Sequence, residues 1–141
     1  MIVEIITFAF KKNTTTEANY IIDVRFLNNP FYVDHLSSLC GLDKEVIDYF
    51  KKDKTTCEFL MRLYDWTGYL IDINKKAGAE KISIAIGCTG GQHRSPYIAE
   101  SLGNYLRTNS PVDKITIYHS ELDLGKDKGK DKSNVCNQKT P

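Results

Sequence analysis

The stretch from Lys81 to Leu106 constrains the fold more than any other part of the chain. An apolar run, Ile82-Ser83-Ile84-Ala85-Ile86, reads as a strand. It is followed by Gly87-Cys88-Thr89-Gly90-Gly91-Gln92-His93-Arg94-Ser95 and then by a segment of helical periodicity opening at Pro96. The order is strand, glycine-rich loop, helix, with Ser95 as the expected cap and Pro96 in the first turn. Such a loop carries a thiol, an imidazole, a guanidinium and several backbone N–H groups to one helix N-terminus. That is a place for an anion.

The rest of the chain is sized for a single domain. At 141 residues it can bury one real core, and its 41% apolar and 26% charged residues suit a globular protein. The formal net charge of +1 argues neither for nor against nucleic acid. No run reaches the roughly 18 apolar residues of a membrane span. Ile5 to Phe10 has no basic segment before it and Lys11-Lys12 after it, which fits a strand better than a signal peptide. A cytoplasmic location without membrane attachment is expected. Cys40, Cys57, Cys88 and Cys136 show no paired spacing of a zinc site. Reduced thiols, no metal and no cofactor are the expectation.

Val3 to Phe10 reads as a central strand and Tyr20 to Phe26 as a second. Asp23 and Arg25 share a face of a regular strand, as an ion pair or as the wall of a polar site. Pro30 restricts Asn29 and ends this run in an ordered turn. Asp43 is placed to cap a helix over Lys44 to Phe50, and Thr55 or Thr56 to open a longer one. Phe59, Leu60, Leu63, Trp66, Leu70 and Ile73 recur along that helix, which Gly78 ends. Trp66 and the tyrosines near it are expected to pack in the core and at its edge. Ile98, Leu102 and Leu106 form the next helical stripe, and Ile115 to Tyr118 a last strand before His119. The fold class is therefore α/β: one three-layer-like domain with a mixed or mostly parallel sheet over residues 1–123. A polar tail, expected to be disordered, occupies 124–141.

Cys88, five residues, Arg94 and Ser95 reproduce the spacing of the cysteine-dependent phosphatases. There a thiolate attacks phosphorus while loop N–H groups and the arginine hold the phosphate. Those enzymes usually have histidine where this chain has Gly87. The sequence places none of Asp23, Glu121 and Asp123 over the loop as the general acid. One reading makes Cys88 and Arg94 catalytic. Another makes Cys88 a small buried residue in a loop that binds phosphate without chemistry. A third makes the loop a tight join in an oligomerisation module. The Walker A lysine is absent. Under the binding reading, His93, Arg94, His119 and Arg25 form one positive pocket, with Asp23 as orienter. His119 serves equally as a packed or surface residue, and His35 is structural or on the surface. An RNA surface would draw on Lys11, Lys12, Arg25, Arg94 and the tail lysines Lys126 and Lys128.

Longer motifs support a family resemblance. Ile84 to Ser95, continued by Tyr97-Ile98-Ala99-Glu100, resembles the signature of the C-terminal domain of the RapZ/YvcJ family, the RNase adapter proteins. Thr7-Phe8-Ala9-Phe10-Lys11 is similar to the opening Ser-Phe-Gly-Phe-Lys of that domain. Asp23-Val24-Arg25-Phe26-Leu27 with Asn29-Pro30-Phe31-Tyr32, Cys40-Gly41-Leu42-Asp43 and His119 match further family motifs in order. The resemblance implies a fold similar to a phosphofructokinase subdomain. It implies a non-enzymatic regulatory adapter that binds small RNAs, presents them to an endoribonuclease, senses a phosphorylated amino sugar and forms homo-oligomers. The ligand residues it implies are Cys88, Thr89, Gly90, Gly91, Gln92, His93, Arg94 and Ser95, with Asp23, Arg25, Asn29 and His119 as neighbours. The family's nucleotide-binding N-terminal domain is not in this sequence, so ATP binding is not expected of it. Ser120 stands where RNA-binding members often have arginine, and the tail mixes Asp127 and Asp131 among its lysines.

Overall fold

The computed structural model describes residues 1–12, 16–123 and 137–138. Strands β1 (Ile2–Ala9), β2 (Tyr20–Asp23), β3 (Lys81–Cys88) and β4 (Lys114–His119) form one sheet in the order β2-β3-β1-β4. All three pairings are parallel. Helices α1 (Lys44–Lys51) and α2 (Lys54–Lys76) connect β2 to β3, and α3 (Arg94–Asn109) connects β3 to β4. The architecture is α/β with a parallel sheet, as the strand–helix–strand order requires. β1 is paired on both sides, which accounts for its nearly continuous apolar run.

The core lies where α3 packs on β1, β3 and β4 and α2 packs on α3. Val3, Ile5, Ile82, Ile84 and Ile86 from the strands meet Ile98, Leu102 and Leu106 from α3, all at most 1% exposed. On α2, Leu60, Leu63 and Leu70 are buried as the periodicity indicates, together with Ile71 and Thr67. The Thr67 hydroxyl donates to the Leu63 carbonyl at 2.7 Å, so this buried polar group is satisfied. Trp66 and Ile73 stand at the margin, each 43% exposed, and Trp66 meets Tyr20 edge-on.

Several expected details differ. β2 stops at Asp23, so Arg25 lies beyond the strand. Phe10 leaves β1 for a short 3-10 turn, Phe10–Lys12. Asp53, rather than Thr55 or Thr56, caps α2; its carboxylate accepts from the Thr56 amide at 3.3 Å and the Thr56 hydroxyl at 2.6 Å. Asp43 precedes α1 as expected, but its carboxylate turns back to accept from the Cys40 amide at 2.9 Å. His93, not Ser95, is the cap residue of α3. Ser95 sits inside the first turn because its hydroxyl meets the Cys88 thiol at 3.2 Å. Cys57 and Cys88 are free thiols, whereas Cys40 is disulfide-bonded, so the expectation of reduced thiols does not hold for Cys40.

At the chain's far end, β5 (Leu122–Asp123) pairs with β6 (Asn137–Gln138). Two residues of the expected polar tail are thus in a strand. Lys126, Lys128 and the rest of that tail lie outside the described residues. No helix among the described residues is long and apolar enough to cross a membrane.

The irregular segment from Val24 to Asp43 is stitched over the end of β3. The Val24 amide donates to the Gly87 carbonyl at 2.9 Å, and the Gly41 amide to the Gln92 carbonyl at 2.8 Å. His93 Nε2 donates to the Leu36 carbonyl at 3.0 Å, which fixes its tautomer, since a carbonyl only accepts. A Cβ on Gly41 would lie 2.3 Å from the His93 carbonyl oxygen and 2.7 Å from the Tyr97 nitrogen. Both are backbone atoms and cannot swing away. Gly41→Ala is expected to destabilise the fold by about 1–3 kcal/mol. Gly68→Ala is the control: it has open space within 4 Å and should stabilise α2 by up to about 1 kcal/mol. Denaturant titration of both variants checks this, and equal midpoints would contradict the docking role of Gly41.

Burial pushes the His93 imidazole below its ordinary 6.5, with the Arg94 charge acting in the same direction. The unfolded chain therefore binds a proton at a pH where the folded one does not. Stability from a neutral His93 is full above about 6.5 and is lost as pH falls from there toward the folded-state pKa. The wild type should lose denaturation free energy between pH 7 and pH 5 more steeply than His93→Gln. Parallel profiles would show that the ring titrates as it does in the open chain.

Candidate anion-binding site

The loop after β3 turns at Gly91, whose φ of 68° is the left-handed conformation that glycine tolerates. A Cβ there would also lie 2.7 Å from Glu121 Cγ and 3.3 Å from the Ala9 methyl. The turn sets the amides of Gly90, Gly91, Gln92 and His93 at the start of α3. Among the described residues, none of these four N–H groups has a protein acceptor. Free donors at the head of a 16-residue helix make a region of positive potential.

A cavity of about 370 Å³ opens on this loop. Cys88, Thr89, Gly90, Gln92, His93 and Arg94 line it from the loop side. Lys11, Asn29, Phe31, Tyr32 and Ser37 line it from the facing segments. No carboxylate is among these lining residues. Lys11 is held in place because its amide donates to the Thr89 carbonyl at 3.1 Å. Its ammonium reaches over Gly90, 3.7 Å from where a Cβ would stand. Asn29 is fixed by its Oδ1, which accepts from the Phe31 amide at 3.1 Å.

Arg94 is 5% exposed and its guanidinium binds protein. Nη1 donates to the Arg25 carbonyl at 2.6 Å and the Leu27 carbonyl at 3.2 Å, and Nη2 to the Thr89 hydroxyl at 3.2 Å. Arg94 Nε is buried with no partner among the described residues, as is Gln92 Oε1, while Gln92 Nε2 donates to the Glu121 carbonyl. Cys88 is 2% exposed and belongs to the apolar core cluster. Its sulfur meets the Ser95 hydroxyl and accepts from the Ser95 amide at 3.5 Å. Gly87 also has a steric reason: a Cβ there would be 2.4 Å from the Phe8 ring and 2.6 Å from that of Phe10. A histidine before the cysteine does not fit this packing.

Asp23 and Arg25 form a bidentate pair outside the cavity lining, with contacts of 2.7 to 3.1 Å. Hydrogen bonding from Arg25 holds the Asp23 carboxyl below its ordinary range against the desolvation that opposes it. The Arg25 guanidinium lies 3.9 Å above the Phe10 ring. Lys12 is exposed beside Lys11 and does not line the cavity.

His119 is also apart from the cavity. It is 5% exposed, meeting the Thr7 hydroxyl at 2.9 Å through Nδ1 and the Glu100 carboxylate at 2.9 Å through Nε2. It continues the alternation Ile115, Ile117, His119, which faces α3, and that period of two is the signal that separates it from the loop. The ordered turn expected at Pro30 carries no sign in the sequence that Phe31 and Tyr32 wall the cavity. A larger cavity of about 440 Å³, lined by both Lys51 and Glu100, lies between α1 and α3.

The family model of the RapZ C-terminal domain matches residues 1–123. A nucleotide-binding protein of Lactobacillus helveticus is 45% identical over 120 residues, covering 85% of this chain and 40% of that protein. One of Bacillus cytotoxicus is 40% identical over 127 residues, covering 90% and 42%. One of Staphylococcus aureus is 48% identical over 104 residues, covering 74% and 34%. The chain thus spans well under half the length of these relatives. A single match running through every element that builds the loop and its facing wall, from β1 to β5, shows that the chain belongs to the RapZ C-terminal domain family.

Proposed function

We propose that the cavity on the glycine-rich loop recognises the phosphate of RNA or of a phosphorylated amino sugar, without chemistry, as part of a regulatory adapter. The observation that carries this reading is the lining: Gly90, Gln92, His93 and Lys11 border a space with no carboxylate among its lining residues, and the loop amides have no acceptor among the described residues. Cys88, the nucleophile of the enzymatic alternative, has its sulfur on Ser95 within the core. The nucleotide in the relatives' name belongs to proteins of which this chain spans 34–42%, and enters here only as one class of phosphate ligand. Within an adapter, an endoribonuclease or a second copy of the chain is the partner class the family resemblance supplies.

Titration with inorganic phosphate and glucosamine 6-phosphate tests the pocket. Saturable binding is expected, weakened roughly tenfold by Lys11→Ala, which removes a charge at about 1.4 kcal/mol per decade. Absence of saturation at millimolar ligand would refute the phosphate reading. For single-stranded RNA, log affinity should fall with log salt by roughly 0.7 per phosphate contact, and Lys11→Ala should reduce that slope by one such step. Affinity that is flat with salt would exclude RNA as the ligand.

A further inference from the structure

The cavity of about 440 Å³ between α1 and α3 shares no lining residue with the loop cavity. Small-molecule sites span roughly 300–1,000 Å³, and this one falls inside that range. Leu42, Ile47 and Tyr97 give it an apolar wall, and Lys51, Glu100 and Asn104 give it polar groups. The wall is firm at Tyr97, which is 8% exposed and stacked on Phe50 with ring centroids 4.6 Å apart. Gly41, whose amide donates to the Gln92 carbonyl, brings the chain that enters α1 onto the start of α3.

Its polar groups are of opposite kind and do not pair with one another. His119 Nε2 donates to Glu100 Oε1 at 2.9 Å, and Nδ1 of the same ring meets the Thr7 hydroxyl at 2.9 Å. The His119 side chain is 2% exposed, so the carboxylate is braced from inside the fold. Its second oxygen has no protein partner among the described residues, and neither has the Lys51 ammonium. Asn104 Oδ1 accepts from Arg107 Nη1 at 3.1 Å, which leaves Asn104 Nδ2 as a donor without a protein partner among the described residues. A carboxylate on α3, a donor one turn further along that helix and a cation at the end of α1 thus border one space.

We propose that this cleft is a second ligand site, for a free α-amino acid with an apolar side chain. The ammonium meets the Glu100 carboxylate, the carboxylate meets Lys51 and Asn104, and the side chain lies against Leu42, Ile47 and Tyr97. A zwitterion satisfies both charges at once, whereas an anion alone faces Glu100 and a cation alone faces Lys51. Charge-assisted hydrogen bonds at the two ends orient the ligand, and the apolar wall favours an apolar side chain. The proposal stands independently of the phosphate reading, since the two cavities are lined by different residues.

The test is calorimetric titration of the full chain with L-leucine and with two analogues. One is 4-methylpentanoate, which lacks the ammonium, and the other is 3-methylbutylamine, which lacks the carboxylate. Saturable binding of leucine is expected, with each analogue roughly tenfold weaker. Glu100→Gln keeps an acceptor for His119 and should weaken leucine roughly tenfold while leaving 4-methylpentanoate no weaker. Lys51→Gln should weaken leucine roughly threefold, because this ammonium is exposed and screened by water. Unchanged denaturation midpoints confirm that the variants fold, and the analogue comparison needs no variant at all. Leucine binding that does not saturate at millimolar ligand overturns the proposal. So does an analogue that binds as tightly as leucine, or leucine affinity that neither variant moves. Tighter binding of a leucine-led tripeptide than of leucine also overturns it, in favour of a peptide end as the occupant.

Discussion

The buried Arg94 guanidinium is the interaction on which the rest of the site depends. It joins the loop after β3 to the segment after β2 through two carbonyls and one hydroxyl. Hydrogen bonds from a charged donor are stronger than neutral ones, and a charge this far from water must find partners. Around it the His93–Leu36 and Gly41–Gln92 bonds close the segment over the loop. Remove the guanidinium and two backbone carbonyls lose their charged donor, while the wall that carries Asn29, Phe31 and Tyr32 is untied from the amides it faces. The shape of the cavity is therefore a property of chain crossing as much as of its lining.

The same residues depart from the phosphatase pattern in spite of its spacing. Strand, cysteine, five residues, arginine and helix are all present in the right order. Two substitutions in role follow from packing. Gly87 lies under the Phe8 and Phe10 rings, which leaves no room for a histidine before the cysteine. Arg94 reaches across to backbone carbonyls where a phosphatase arginine would face phosphate. On the proposed reading an anion would meet the loop amides and Lys11, with the Cys88 sulfur held on Ser95 at the edge of the cavity.

Much of this was legible in the residues. The β3–loop–α3 unit, the apolar stripe of α3 and the parallel order follow from periodicity and from glycine placement. The cap of α3 was not, because Ser95 is a good capping residue in isolation and only the nearby Cys88 sulfur draws its hydroxyl inward. The same holds for Asp43, whose carboxylate has the Cys40 amide closer to hand than the helix it precedes. The sequence leaves His119 between a pocket residue and a packed one, because both β3 and β4 end near it; side-chain alternation along β4 turns it toward Glu100. Phe31 and Tyr32 gave no local signal beyond following a proline. Their place on the cavity wall depends on a long-range contact, the reach of Arg94 to the carbonyls of Arg25 and Leu27, which no periodicity records.

We propose that the loop after β3 is a preformed anion site whose cysteine stays in the core. A crystal structure of the chain grown in phosphate tests it most directly. One phosphate is expected in the cavity, its oxygens within hydrogen-bonding distance of the Gly90–His93 amides and the Lys11 ammonium, with the Cys88 sulfur still against Ser95. Phosphate bound through an outward-turned Cys88 sulfur, or ordered only elsewhere on the surface while this cavity holds water, would contradict it.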